Sequence, residues 1–342
     1  MSTPITYFNQ VITSASSNTV AEISKTYDSF IKKKIPGRDT YVVVDKFKID
    51  LSSVPLIIFD PTPNAYSIEL SCGALFSGRI SLHTYFYSSN PGLPTSDPTY
   101  YWIYTFDKFI QILNNALAAA YTAIVAGVPA GNAAPFFVID HTTHILSLMV
   151  SASYIEGAVN QIMIYGNYGF ILPFLEGMDW IGNNTSMVPL VNGRDARMCC
   201  RDRLVNQTTL GGVLYYQQIT NAKADTIIKW NVCKGLVITS GLQTQGEAFP
   251  EGQGITTTTG VVNNSLSSTN ILMNFDLLYA DNCRPLIVTY TAPSFDKKVL
   301  LNESSDINEI SFKFFWYDKF NKMYPLHIFG NDICSLRIGF TE

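Results

Sequence analysis

Charge is what this 342-residue sequence has least of. Asp, Glu, Lys and Arg make up 15% of it, against roughly 25% in an ordinary soluble domain. The net charge of −4 argues against a whole-protein nucleic-acid binder, which is normally basic. None of the six cysteines (Cys72, Cys199, Cys200, Cys233, Cys283 and Cys334) forms a Cys-x-x-Cys pair, so neither a zinc ribbon nor a thioredoxin-type site is expected. Cys199 and Cys200 are adjacent and ill placed to bridge each other, and Cys334 falls in the apolar phase of a strand pattern. Buried thiols in a reducing compartment are the simplest reading. There is no P-loop, no dinucleotide glycine fingerprint, no G-x-S-x-G and no H-E-x-x-H. Met1 to Thr6 has neither a basic n-region nor an h-region, so no signal peptide is expected. The glycosylation-like triplets at Asn183, Asn184, Asn206, Asn263 and Asn302 then read as accidental. No apolar run approaches the ~18 residues of a membrane span. The nearest, 109–128, is broken by Gln111, Asn114 and Asn115.

What is present is apolar and aromatic: 47% and 13% of residues. A chain so poor in charge keeps its surface in water with difficulty, which points to a surface largely covered by partners. The length suffices for one elaborate domain or two modest ones.

The most legible stretch is the end. Ile310, Phe312, Phe314 and Trp316 alternate with Ser311, Lys313, Phe315 and Tyr317. A polar turn at 318–322 and an apolar run at 324–329 follow, and then Cys334, Leu336, Ile338 and Phe340 alternate again. Period two marks strands with a buried face, and the last strand is expected inside a sheet. Phe47, Ile49 and Leu51 alternate in the same way, as do Tyr66, Ile68 and Leu70. Further strand-like runs lie near 136–139, 145–150, 162–165, 213–216, 235–240, 271–276 and 285–290. One segment reads as helix: Phe109, Leu113, Ala116, Leu117, Ala120, Tyr121 and Ile124 recur at spacings of three and four. Thr105 or Asp107 can cap its start, and Gly127, Pro129 and Gly131 stop it. Residues 1–38 have too few apolar positions for a core and read as an N-terminal arm, with Lys32, Lys33 and Lys34 as a solvated basic run. Ten or more strands, one amphipathic helix and long loops give an all-β fold, a jelly-roll β-sandwich with long insertions and the helix packed on it.

Candidate chemistry is sparse. Asp140, His141 and His144 sit in one turn and are the only cluster of metal-ligand residue types, though polar turns are usually polar for solvation alone. His83 and His327 lie in strand-like runs and read as core or edge residues. Arg197 and Arg201 flank Cys199 and Cys200, an arrangement that can lower a thiol pKa, but no partner base can be named. Arg194, Arg197, Arg201 and Arg203 suit acidic groups or phosphate, or more simply ion pairs within a loop or to a neighbouring subunit. The polar stretch 241–269 is long enough to be a recognition loop. No catalytic residue, metal or cofactor is expected from any of these, and the chain reads as no enzyme.

The order of five stretches resembles the penton-type minor capsid proteins of polintons, virophages and related double-stranded DNA viruses. These are FKIDLSSVPLI at 47–57, YTFDKFIQILNNAL at 104–117, WNV with GLVITS at 230–240, NILMNFD with RPLI at 270–287, and FWYDKFNKMYPL at 315–326. Residues 150–212 have no counterpart in the pattern, and an inserted outer domain or long loop there would fit the family. The resemblance implies an arm at 1–38 and a jelly-roll capsid domain at 39–342. It implies a homopentamer at the vertex of an icosahedral capsid, assembled inside the host cell, with the double jelly-roll major capsid protein as its other partner. It carries over no catalytic residue. Two other readings stay open: a β-sandwich receptor- or glycan-binding module, and another minor or cement capsid protein.

Overall fold

The computed structural model describes residues 6–13, 19–28, 39–89, 92–97, 99–140, 145–175, 177–182, 196–202, 207–219, 230–242, 270–277, 287–292, 298–301, 306–328 and 333–341. Eight strands from the two ends of the chain build one sandwich. They are β1 (Thr6–Thr13), β2 (Glu22–Thr26), β3 (Tyr41–Asp50), β4 (Cys233–Ser240), β5 (Asn270–Asp276), β6 (Ile287–Thr291), β7 (Glu309–Asp318) and β8 (Ile333–Thr341). One sheet runs β1-β8-β3-β6 and the other β2-β7-β4-β5, with every neighbour antiparallel. Strands that follow each other in the chain mostly change sheet, which is the strand order of a jelly roll.

Period-two patterning fixes which face turns inward. Ile310, Phe312, Phe314 and Trp316 of β7 meet Cys334, Leu336, Ile338 and Phe340 of β8 in one buried cluster. In β3 the inward set is Val42 and Val44, then Phe47 and Ile49. The alternation skips a residue at Asp45, where the pairing with β8 shifts between Arg337 and Ile338. That bulge keeps both pairs facing the core, and Arg337 and Asp45 form an ion pair across it at 3.1 Å. The outer face of β7 is not bare: Phe315 and Tyr317 pack with Val237 and Met323 in a smaller buried cluster.

Between β3 and β4 the chain leaves the jelly roll and builds a second core. One sheet centres on Ser67–Cys72 and Ile162–Gly166, with Ala196–Met198 and Trp180–Gly182 beyond. The other runs Phe136–Ile139, Leu146–Ser151, Val213–Ile219, Gln207–Leu210. Helix α1 (Phe106–Ile124) packs against Ser67–Cys72 and Phe136–Ile139, burying Phe109, Ile112, Leu113, Ala116, Leu117, Ala120 and Ile124. Its start is capped as expected, by Thr105 Oγ1 accepting from Lys108 N at 3.3 Å. By length and composition α1 could cross a membrane, but its apolar stripe is spent on this core.

Neutral amides close the second core's loose backbone. Asn114, one of the residues that interrupt the apolar run, accepts from Phe137 N at 2.7 Å and donates to Phe137 O at 3.0 Å. Asn167 accepts from Ser67 N at 2.9 Å and donates to Ala65 O at 2.8 Å. Gln218 does the same for Arg201, at 2.9 and 2.8 Å. Each carboxamide offers one donor and one acceptor side by side, as a peptide group does.

The structure adds two points about organisation. Where it is described, the N-terminal segment is extended and paired within the chain: β1 pairs along β8 from Thr6↔Phe340 to Thr13↔Ile333, and β2 pairs with β7. Backbone hydrogen bonds hold it, and these need few apolar side chains. Lys32, Lys33 and Lys34 lie outside the described residues. The second core reaches from Ile57 to Trp230, wider at both ends than an insertion around 150–212.

Candidate assembly surfaces

With no catalytic constellation expected, the surfaces to consider are sheet edges, the junction of the two cores and the outer end of the second core. Among the described residues, β1 bounds one jelly-roll sheet on one side and β6 with the short strand Lys298–Leu300 on the other; the second sheet is bounded by β5 and, opposite it, by β2 with Met323–Pro325. Edge strands present backbone donors and acceptors along one side, ready to pair with another chain or be covered by one. Val11 on β1 and Ile287 on β6 are exposed apolar residues on these strands. In the turn after β7, Phe320 is 79% exposed. That turn is built by Asp318, whose carboxylate accepts from Phe320 N at 2.8 Å and Lys322 N at 2.9 Å, with Asn321 at φ 60°.

The cores meet through aromatic rings. Trp102 belongs to the segment between β3 and β4 yet packs in the jelly-roll core, edge-on to Trp316 and Tyr324. The entering and leaving chains lie side by side, with Val232 N donating to Leu56 O at 3.2 Å. At the same junction Ser53 Oγ donates to His327 O. The His327 ring is 4% exposed and neither ring nitrogen has a hydrogen-bond partner. Burial holds its pKa below the usual histidine value, against an opposing pull from Asp97.

The outer end is defined by α1. Phe106 and Phe109 at its start pack on Trp230, next to the junction. Nineteen residues at about 1.5 Å each carry its other end roughly 28 Å away. There Cys72 Sγ lies 3.3 Å from Gly127 O and 3.5 Å from Asn160 O, drawing one hairpin, the helix end and one turn together.

Among the described residues, those singled out from sequence are not brought together into one cluster. His141 and His144 lie outside the described residues, and Asp140 N donates to Ile145 O at 3.0 Å. Among the described residues no group of three or more His, Cys, Asp or Glu could hold a metal ion. Cys200 is buried and its thiol is pushed up to about 12, by burial first and then by Cys199 and Glu156. It is a protonated thiol, the reverse of an activated one. Arg197 pairs with Glu156 at 2.9 Å and Arg201 with Asp179 at 3.4 Å, so these two serve ion pairs within the chain. Arg194 and Arg203 lie outside the described residues, as does nearly all of 241–269. His83 is half-buried, with its ring 5.7 Å from Tyr101. A cleft lined by Ser67, Glu69, Arg79 and Asn167 has about 10 Å³ of free volume, room for one water. Sequence reasoning missed the apolar turn tips at the outer end. The available signal was Leu210 and Leu214 around Gly211-Gly212, and Val159 after Gly157, where turns ordinarily carry polar residues.

Comparison with known proteins gives one family and one fold. A family model described as Sputnik minor capsid protein V18/19 matches residues 6–342. A chain in the cryo-EM structure of the Sputnik virophage superposes with a TM-score of 0.73 at 20% identity, covering 98% of this chain and 97% of that one. The crystal structure of the mavirus penton protein superposes with a TM-score of 0.65 at 15% identity, covering 99% of each. No curated protein matches. The all-β jelly roll read from the sequence is the shared fold.

Proposed function

The chain belongs to the Sputnik minor capsid protein V18/19 family, and on that premise we propose that it is the penton of an icosahedral double-stranded DNA virus. Membership makes it a virophage-type capsid protein, at work in the virion alongside other capsid proteins. The vertex role rests on one observation: end-to-end likeness to a chain identified as a penton protein, 99% of each being covered. Five copies close a ring by repeating one heterologous contact, which needs a rigid subunit with two different complementary sides. The edges β1, β6, β2 and β5 offer such sides. The second partner is a double jelly-roll major capsid protein, met around the rim of the ring during assembly inside the host cell.

The function is geometric and asks for no reacting group. The low charge content supports this, because a subunit buried on several sides has little surface to keep hydrated. The test is the native mass and rotational symmetry of the purified chain, alone and co-expressed with the major capsid protein. Five-fold assemblies or vertex-filled particles are expected. Another closed symmetry, or particles that exclude the chain, overturns the proposal.

A further inference from the structure

We propose that the outer end of the second core is a membrane-surface contact, whose apolar turn tips insert shallowly into an electrically neutral lipid bilayer. The inference does not depend on the vertex role, since a single chain carries the whole surface.

Four turns end at one level. The Cys72–Leu75 turn, the end of α1 and the Gly157–Asn160 turn are gathered around Cys72 Sγ. The fourth is the Leu210–Val213 hairpin, and its height follows from two links. Tyr121 of α1 donates to Asn132 O at 2.9 Å, and Ser151 Oγ donates to Asn132 Oδ1 at 2.8 Å. Ser151 pairs with Tyr215, so the hairpin tip runs two to three residues past Ser151, about as far as α1 runs past Tyr121.

Each tip carries exposed apolar side chains: Leu75 and Phe76, Val125, Val159 at 86% exposure, and Leu210 with Leu214. The tips are convex. Gly73, Gly157, Gly211 and Gly212 have φ between +57° and +83°, and an added Cβ at any of them would meet nothing within 4 Å. Leu75 pairs with Cys72 and faces Gly127, while Phe76 pairs with Ser71 and faces the opposite side of the sheet. A rigid protein partner covers one face; a fluid acyl layer covers both sides of a projecting hairpin at once.

Charge points the same way. The stretches 70–78, 109–139, 157–175 and 204–222 contain no Asp, Glu, Lys or Arg. Glu156, beside one tip, is already paired with Arg197 at 2.9 Å. Arg79 follows the first of these stretches and Arg197 is taken up by Glu156, so within the tips themselves no basic residue draws anionic headgroups; the surface suits zwitterionic lipid, and binding should be insensitive to salt.

Flotation of the full chain with neutral phosphatidylcholine vesicles tests this. The wild-type chain should float equally in low and high salt. A Leu75→Ser/Val159→Ser/Leu210→Ser chain should lose about tenfold in partitioning at unchanged melting temperature, because the replaced side chains are exposed. Phe320→Ser, which removes an exposed apolar residue from the jelly roll, should float like wild type. If the triple variant melts early, Val159→Ser alone is read instead. Failure of the wild type to float, flotation unchanged by the tip substitutions, or loss with Phe320→Ser each overturns the proposal. So does a tip variant that alters oligomer size while no chain floats, which would mark a contact between copies.

Discussion

Asn114 does for an edge strand what a further strand would do. Its carboxamide takes up the N–H and C=O of Phe137 from within an otherwise apolar helix face. Asn114→Ala leaves both backbone groups without that partner, and should destabilise the chain by about 1–3 kcal/mol in denaturant unfolding. A loss below about 0.5 kcal/mol would mean the pairing contributes little. His327 gives a prediction in pH. Burial depresses its folded-state pKa below the 6.5 of the unfolded chain, so below that pH the unfolded state binds more protons. The stability it contributes is complete above pH 6.5 and is lost as pH falls through the lower folded value. His327→Leu should therefore flatten the fall in melting temperature between neutral and mildly acid pH. Parallel curves for the two proteins would show that the ring does not titrate across unfolding.

At the scale of elements, β1 is the strand whose removal tells most. Eight register pairs join it to β8, and without it β8 becomes an edge. Deleting residues 1–18 should cost roughly 2–6 kcal/mol at a few tenths or more per cross-strand pair, and expose a sticky edge. Size-exclusion chromatography should show aggregates; a well-behaved chain with unchanged melting would refute the pairing. This element was also the least legible in the sequence. Tyr7, Phe8, Val11 and Ile12 come in adjacent pairs rather than in alternation, so Thr6 to Thr13 leaves no period-two signal. By contrast, β7 and β8 pack one face against the main core, and their alternation placed every inward residue. Helix α1 was legible for the same reason, with its stripe and its Thr105 cap both readable. What the alternation could not show was that Phe315 and Tyr317 are buried too, on the opposite face. Nor could it separate the two cores, because strands of either sandwich share period two. The break shows only where Leu56 and Val232 meet across 175 intervening residues.

For the whole molecule, scarce charge, two large apolar cores and, among the described residues, unpaired sheet edges describe a building unit. The jelly roll supplies the edges and the second core projects from it, joined where Trp102 enters the jelly-roll core. That arrangement suits a capsid protein, whose work is contact with neighbours. The most direct measurement is cryo-EM of particles formed when the chain is co-expressed with a double jelly-roll major capsid protein, with the copies at each vertex counted. Five copies per vertex, joined through jelly-roll sides, are predicted. Particles with vertices empty of this chain, or with the chain elsewhere in the shell, would contradict the account.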